Sequence, residues 1–221
     1  MLHQQISRGE ARDKTIEILR RVGVSSPEQR VDQLSNQLSG GLRQRAMIAM
    51  ALSCHPTLLI ADEPTTALDV TTQTQILELL RQLQREDGMA IMLITHDLGV
   101  VAEVADDVLV MYAGRAVEHG PTTEIFAAPA HPYTWGLLGS IPRFDRREGR
   151  LIPIPGNPPS LLNPPSGCPF HPRCRYRELT GGRAETERPE LHTVGTGHRV
   201  ACHLDDDQRA RIVEEEVPTW L

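Results

Sequence analysis

Two adjacent carboxylates, Asp62 and Glu63, close the apolar run Leu58-Leu59-Ile60-Ala61 and lead into the turn Pro64-Thr65-Thr66. Such a run reads as a buried parallel strand that delivers charge to its C-terminal edge, where α/β sheets hold their ligands. Neighbouring strand residues point to opposite faces, so the two carboxylates would do different work. One can hold a hydrated Mg²⁺ while the other reaches a water. A second apolar run, Met89-Ala90-Ile91-Met92-Leu93-Ile94, ends in Thr95-His96-Asp97 and brings an imidazole to the same edge. Upstream, Leu38-Ser39-Gly40-Gly41-Leu42-Arg43-Gln44-Arg45 sets an N-cap serine and two glycines at a helix start. Orphan N–H groups and the helix dipole favour an anion there, and glycine lets backbone approach a phosphate closely. Singly, these features have ordinary explanations: a chance strand, a glycine turn, a structural histidine. Together they suit phosphoryl chemistry.

The elements that must position them can be read in order. Ser7-Arg8-Gly9-Glu10 has capping-box spacing and opens a helix that runs to Gly23, with Ala11, Thr15, Ile18, Leu19 and Val22 on one face. Ser26-Pro27-Glu28 starts a short helix through about Leu34. The helix after Ser39 is expected to turn Ala46, Met47, Met50 and Ala51 inward and to end near Cys54-His55-Pro56, with Cys54 a small buried residue. Asp69 caps a helix with Ile76, Leu77, Leu80 and Leu83 at core spacing, ended by Asp87-Gly88. A hairpin follows around Ala113-Gly114, then a closing helix from Gly120-Pro121. From about Arg143 the composition turns to proline, glycine and charge, which marks a boundary. The acidic end, with Asp205-Asp206-Asp207 and Glu214-Glu215-Glu216, reads as a solvated tail.

Composition narrows the classes. With 221 residues, 39% of them hydrophobic, the chain can build one sizeable core plus an appendage. A net charge of -6 argues against a general nucleic-acid binder. No run approaches the roughly 18 apolar residues of a membrane span, and Met1-Leu2-His3-Gln4 has no signal-peptide pattern. The only lysine is Lys14, preceded by Asp13 and with Arg8 where a first glycine would stand. The phosphate-binding pattern Gly-x-x-x-x-Gly-Lys-Ser/Thr is therefore absent from this sequence.

In their order these segments resemble the signature motif, Walker B strand, D-loop and switch histidine of the ATP-binding-cassette ATPases. The resemblance implies an α/β fold: a partial P-loop-type nucleotide-binding domain, with a parallel sheet core and a helical subdomain, followed by a small irregular C-terminal extension. It divides the chain into 1–56 (helical subdomain with the signature), 57–142 (partial ATPase core) and 143–221 (extension). It implies ATP and Mg²⁺ as cofactors, with Asp62 on the metal through water, Glu63 and His96 catalytic, and Ala67, Leu68 and Asp69 in the D-loop. Leu38, Ser39, Gly40 and Gly41 would contact ATP held by the opposite subunit. Leu42 departs from the glutamine often found at its position.

His131-Pro132-Tyr133-Thr134, the stretch Pro155-Gly156-Asn157-Pro158-Pro159, and Gly167-Cys168-Pro169-Phe170-His171-Pro172-Arg173-Cys174 resemble the extension of oligopeptide and dipeptide importer ATPases. That likeness implies an energy-coupling subunit at the cytoplasmic face of the inner membrane. Its partners would be a second cassette subunit, transmembrane permease subunits and, indirectly, a solute-binding protein, with no nucleic acid. Import of nickel or another solute, or a nucleotide-sensing module outside transport, are the alternatives. Related extensions can carry four cysteines on an iron–sulfur cluster, but Gly181 stands where the third ligand is expected. Cys168, Cys174 and Cys202 with His203, His198 or His171 are candidate ligands for zinc or an irregular Fe–S cluster, against the alternative of free thiols.

Overall fold

A computed structural model describes residues 6–141 and 153–216, so the expected boundary at 142/143 lies outside the described residues. Two compact units divide between His96 and Asp97, and each is taken by itself.

In the first unit, α1 (Arg8–Arg21) starts on the expected capping box: Ser7 Oγ accepts from Glu10 N–H and the Glu10 carboxylate accepts from Ser7 N–H. Its last carbonyls turn out through Gly23, in left-handed backbone at φ 75°, and the Arg45 guanidinium donates to Val22 O at 2.6 Å. The short α2 covers only Pro27–Arg30. A 3₁₀ turn over Ser35–Gln37 leads into α3 (Gly40–Leu52), and α4 (Val70–Asp87) follows the first strand. The core joins Leu19 and Val22 of α1, Ile48, Ala49 and Leu52 of α3, and Ile76, Leu79, Leu80 and Leu83 of α4, with Leu59 and Met89.

Two expectations for α3 are corrected. The buried stripe is Ile48, Ala49 and Leu52, with Leu42 and Ala46 packed beside it, while Met47, Met50 and Ala51 face solvent and Met50 is 68% exposed. The sequence Ala46–Leu52 is apolar on every side, so periodicity could not choose the inward face. Cys54 lies beyond the helix end and is exposed, not buried.

β1 (Leu58–Asp62) and β2 (Ala90–Ile94) pair in parallel, Leu58 opposite Ala90 through Asp62 opposite Ile94. The expected burial of this strand is half right. Leu59 and Ile91 face the helices, but the other face is open, with Leu58, Ile60, Met92 and Ile94 exposed and Ile60 at 59%. Parallel strands normally have both faces covered. Here these two strands form a sheet of their own among the described residues, with helices on one side only.

The second unit begins with α5 (Leu98–Val104), capped by Asp97, whose carboxylate accepts from Gly99 and Val100 N–H. β3 (Asp107–Tyr112) and β4 (Arg115–Pro121) form the expected hairpin, with Ala113 at φ 48° and Gly114 at φ 73° in the type I′ pattern. α6 (Thr122–Ala127) and α7 (Pro132–Gly139) follow. Beyond residue 153 the chain is mostly turns, yet it contributes α8 (Arg183–Thr186), β5 (His192–Gly195) and β6 (His198–Val200). β6 pairs antiparallel with β4, giving the sheet order β3-β4-β6-β5.

The acidic end is a helix and not a solvated tail. α9 (Asp206–Glu215) is capped by Asp205 and buries Arg209 and Ile212, and Ile212 packs with Leu204, Trp135 and Tyr176. No helix among the described residues is long and apolar enough to cross a membrane.

The burial pattern separates two side chains of the first unit. Leu83→Ala, at a fully buried position, should cost about 2–5 kcal/mol in denaturant unfolding. Met50→Ala should stay within about 0.5 kcal/mol of the parent, because its side chain has no core to leave.

Candidate functional site

The ends of β1 and β2 form the first half of the site. Asp62, the last residue of β1, is exposed. Glu63 then leaves the strand in left-handed backbone at φ 49°, a conformation that L residues other than glycine rarely adopt. Its N–H still donates to Ile94 O at 2.9 Å, which ties the turn to the end of β2. The side chain is gripped at both oxygens. His96 Nδ1 lies 2.7 Å from Oε1, and Thr66 Oγ1 donates to Oε2 at 2.5 Å. The Thr66 hydroxyl first, and His96 second, hold the Glu63 carboxyl below the usual carboxylate range. The carboxylate is thus ionised at neutral pH, and Nδ1–H of His96 is the donor to it. An ionised carboxylate beside an exposed imidazole can accept a proton from water and orient a polar group.

The second half lies at the starts of α3 and α4. Ser39 caps α3, its Oγ accepting from Leu42 N–H at 3.4 Å, with Ser39 and Gly40 exposed and Leu38 and Gly41 half-buried. Asp69 caps α4, accepting from Thr72 N–H at 2.9 Å and from the Thr72 hydroxyl at 2.7 Å. These two ends meet. A Cβ built on Gly40 would stand 3.6 Å from Leu68 Cδ2, and one on Gly41 would stand 2.9 Å from Thr72 Cγ2, closer than real carbon contacts. Gly41 therefore has a packing reason beside any ligand role. Ala67, at φ 64°, is the second left-handed residue of the 63–69 segment.

In the second unit, Cys168, Cys174 and Cys202 line one pocket together with His131, His171 and His203. The side chains expected as a metal set share this lining except for His198, and two of its histidines are hydrogen-bonded to backbone carbonyls. His203 Nε2 is engaged with Glu187 O at 2.8 Å and His171 Nδ1 with Cys168 O at 2.9 Å. His198 faces Glu118. Burial pushes the Cys174 thiol up to about 12 and the Cys202 thiol up to about 11, so both hold their protons at neutral pH. Among the described residues no group of three or more His, Cys, Asp or Glu is arranged to hold a metal ion.

Residues that the sequence reading missed organise this unit. Glu118 is fully buried and accepts from Ala130 N–H at 2.6 Å, His131 N–H at 3.0 Å, Thr134 Oγ1 at 2.5 Å and His198 Nε2 at 2.8 Å. His131-Pro132-Tyr133-Thr134 is thus the receptor for a buried carboxylate. Tyr133 N–H donates to His131 Nδ1 at 3.0 Å, and the Tyr133 ring packs edge-on to Tyr112. Arg173 donates to Pro155 O at 2.7 Å and Ile154 O at 3.3 Å, and Ile154 sits over Gly136 of α7. No spacing in the sequence pointed to Thr66, Glu118 or Arg173, because each acts across the fold or through a turn whose geometry was not yet known.

Comparison with known proteins bears on this geometry. Residues 2–66 match the family model described as ABC transporter, and residues 117–179 the one described as oligopeptide/dipeptide transporter, C-terminal region. The dipeptide transport ATP-binding protein DppD of Bacillus subtilis (strain 168) is 52% identical over 211 residues, 94% of this chain and 61% of that protein. The oligopeptide transport ATP-binding protein OppD of Salmonella typhimurium is 50% identical over 202 residues, 91% of this chain and 59% of that protein. The chain therefore spans about three-fifths of the length of these curated relatives. Among solved structures, cbiO1 from Clostridium perfringens, part of the ABC transporter complex cbiONQ, matches with a TM-score of 0.50 and 34% identity, covering 57% of this chain and 49% of that one.

Burial lowers the pKa of His131 to about 4 against an ordinary 6.5, so the folded state resists a proton that the unfolded chain takes up. That stability is complete above pH 6.5 and is lost as pH falls towards 4, by up to about 3 kcal/mol. Denaturant midpoints of the parent should fall across this window more steeply than those of His131→Asn, which keeps a capping acceptor but no titrating ring.

Proposed function

We propose, from the premise that this chain belongs to the ABC transporter family in its oligopeptide/dipeptide branch, that it is the energy-coupling part of a peptide importer's ATP-binding subunit. The observation that carries the reading is the 2.7 Å contact between Glu63 and His96 at the adjoining ends of two parallel strands.

The donor set suits Mg·ATP. Asp62 is an exposed carboxylate at the strand edge, where it would hold Mg²⁺ through water. The exposed N-terminus of α3, at Ser39 and Gly40 with Leu38 and Gly41, would present N–H groups to a γ-phosphate held by an opposing subunit. Bound nucleotide supplies the phosphoryl group, and its transfer to water is governed by positioning and electrostatics. Glu63, ionised and clamped, accepts the proton of the attacking water. His96 orients that water and the γ-phosphate from its 2.7 Å contact with Glu63. Ala67, Leu68 and Asp69 join this edge to the signature turn, since Leu68 packs beside Gly40.

The lysine-bearing phosphate loop would come from residues outside this sequence, on the same or another polypeptide. A second cassette subunit completes each nucleotide site. Permease subunits seat the assembly at the cytoplasmic face of the membrane, with a solute-binding protein acting beyond them. Functionally the chain divides into 1–56, which lends the signature, 57–142, which carries the hydrolytic edge, and 143–221, the extension of the peptide-importer branch.

The test is turnover by the assembled ATPase in permease-containing vesicles, supplied with di- and oligopeptides. Glu63→Gln should lower ATP turnover by roughly 10²–10⁴-fold with nucleotide still bound. Turnover within twofold of the parent would remove Glu63 from the reaction, and a parent rate indifferent to peptide would remove the proposed cargo.

A further inference from the structure

Glu63 is followed by Pro64 and then two threonines, and the sequence gives no reason to prefer either. The fold separates them. Thr65 is buried, whereas Thr66 is exposed and comes round on a turn closed by its own N–H donating to Glu63 O at 3.1 Å. Leu68 N–H donates to Thr65 O at 3.2 Å and fixes the following step of the chain. The turn thus delivers the Thr66 hydroxyl, and not that of Thr65, to Glu63 Oε2.

The consequence is orientational. A glutamate on a strand edge has three side-chain torsions and samples several rotamers when exposed. Here the backbone is pinned to Ile94 O, one carboxylate oxygen faces His96 and the other is occupied by Thr66. Each oxygen has two lone pairs, so one remains on each to receive a water. Without the hydroxyl, Oε2 loses the contact that fixes it among the described residues, and the carboxylate can rotate away from the imidazole.

We propose that Thr66 is a positioning residue: its hydroxyl clamps Glu63 so that Oε1 faces His96 before any nucleotide arrives. This rests on reading Glu63 as the group that takes the proton of the attacking water. The clamp itself is a property of the free chain and is tested there.

Four proteins suffice: the parent, Thr66→Val, which keeps the shape and removes the hydroxyl, Thr66→Ser, which restores it, and Glu63→Gln. In the free chain, the side-chain ¹⁵N spectrum should show the His96 Nδ1 resonance displaced in Thr66→Val and returned in Thr66→Ser. In the assembled ATPase, Thr66→Val should lower kcat by about tenfold with KM for ATP within twofold, and Thr66→Ser should recover the rate. An unmoved His96 resonance with kcat within twofold of the parent overturns the proposal. So does equal damage by Val and Ser, which would mean packing and not the hydroxyl matters. A displaced resonance alongside full turnover in Glu63→Gln would keep the clamp and reject only the water-activating reading.

Discussion

The bond from Glu63 N–H to Ile94 O is the smallest piece of geometry on which the candidate site depends. At this residue the chain leaves β1 in left-handed backbone, a conformation that survives only where surrounding contacts over-determine it. Those contacts are present: the ladder bond on one side, the 63–66 turn on the other, and two hydrogen bonds to the side chain. With the turn fixed, the chain can run through a second left-handed residue at Ala67 and enter α4 on the Asp69 cap. The start of α4 then meets the start of α3 at Gly40 and Gly41, so the glycine turn after Ser39 inherits its placement from the same corner.

Much of this was legible in the residues. The capping box at Ser7, the caps at Ser39 and Asp69, the apolar face of α4 and the Ala113-Gly114 hairpin are local signals, each set by residues within a few positions of one another. The nearness of Glu63 and His96 followed from one non-local inference, that two consecutive apolar runs pair in parallel. What could not be read were choices that only tertiary contact makes. Ala46–Leu52 offers apolar atoms in all directions, and the neighbouring helices decide that Ile48 and Ala49 go in and Met47 and Met50 stay out. Whether Thr65 or Thr66 reaches Glu63 depends on a dihedral angle, and composition does not encode it.

The second unit shows the same limit on a longer scale. Acidic residues near the end suggest a solvated segment, yet Leu204 and Ile212 pack with Trp135 and Tyr176, Arg209 is buried and donates to Leu204 O, and Asp205 caps the helix. Glu118 and His198 are 80 positions apart and meet without solvent. A buried carboxylate is tolerated only when its lone pairs are filled, and four donors from a strand, a loop and a helix fill them here. The motif around His131 thereby becomes a backbone-and-hydroxyl socket for that carboxylate.

The open face of the β1–β2 pair has a bearing on how the chain behaves in concentrated solution. Leu58, Ile60, Met92 and Ile94 lie on one side of a two-stranded ribbon that has no third strand among the described residues. Oily flat surfaces bordered by unsatisfied main-chain groups recruit further strands indiscriminately. Left uncovered, that surface makes self-association through added strands the expected failure of this polypeptide as its concentration rises.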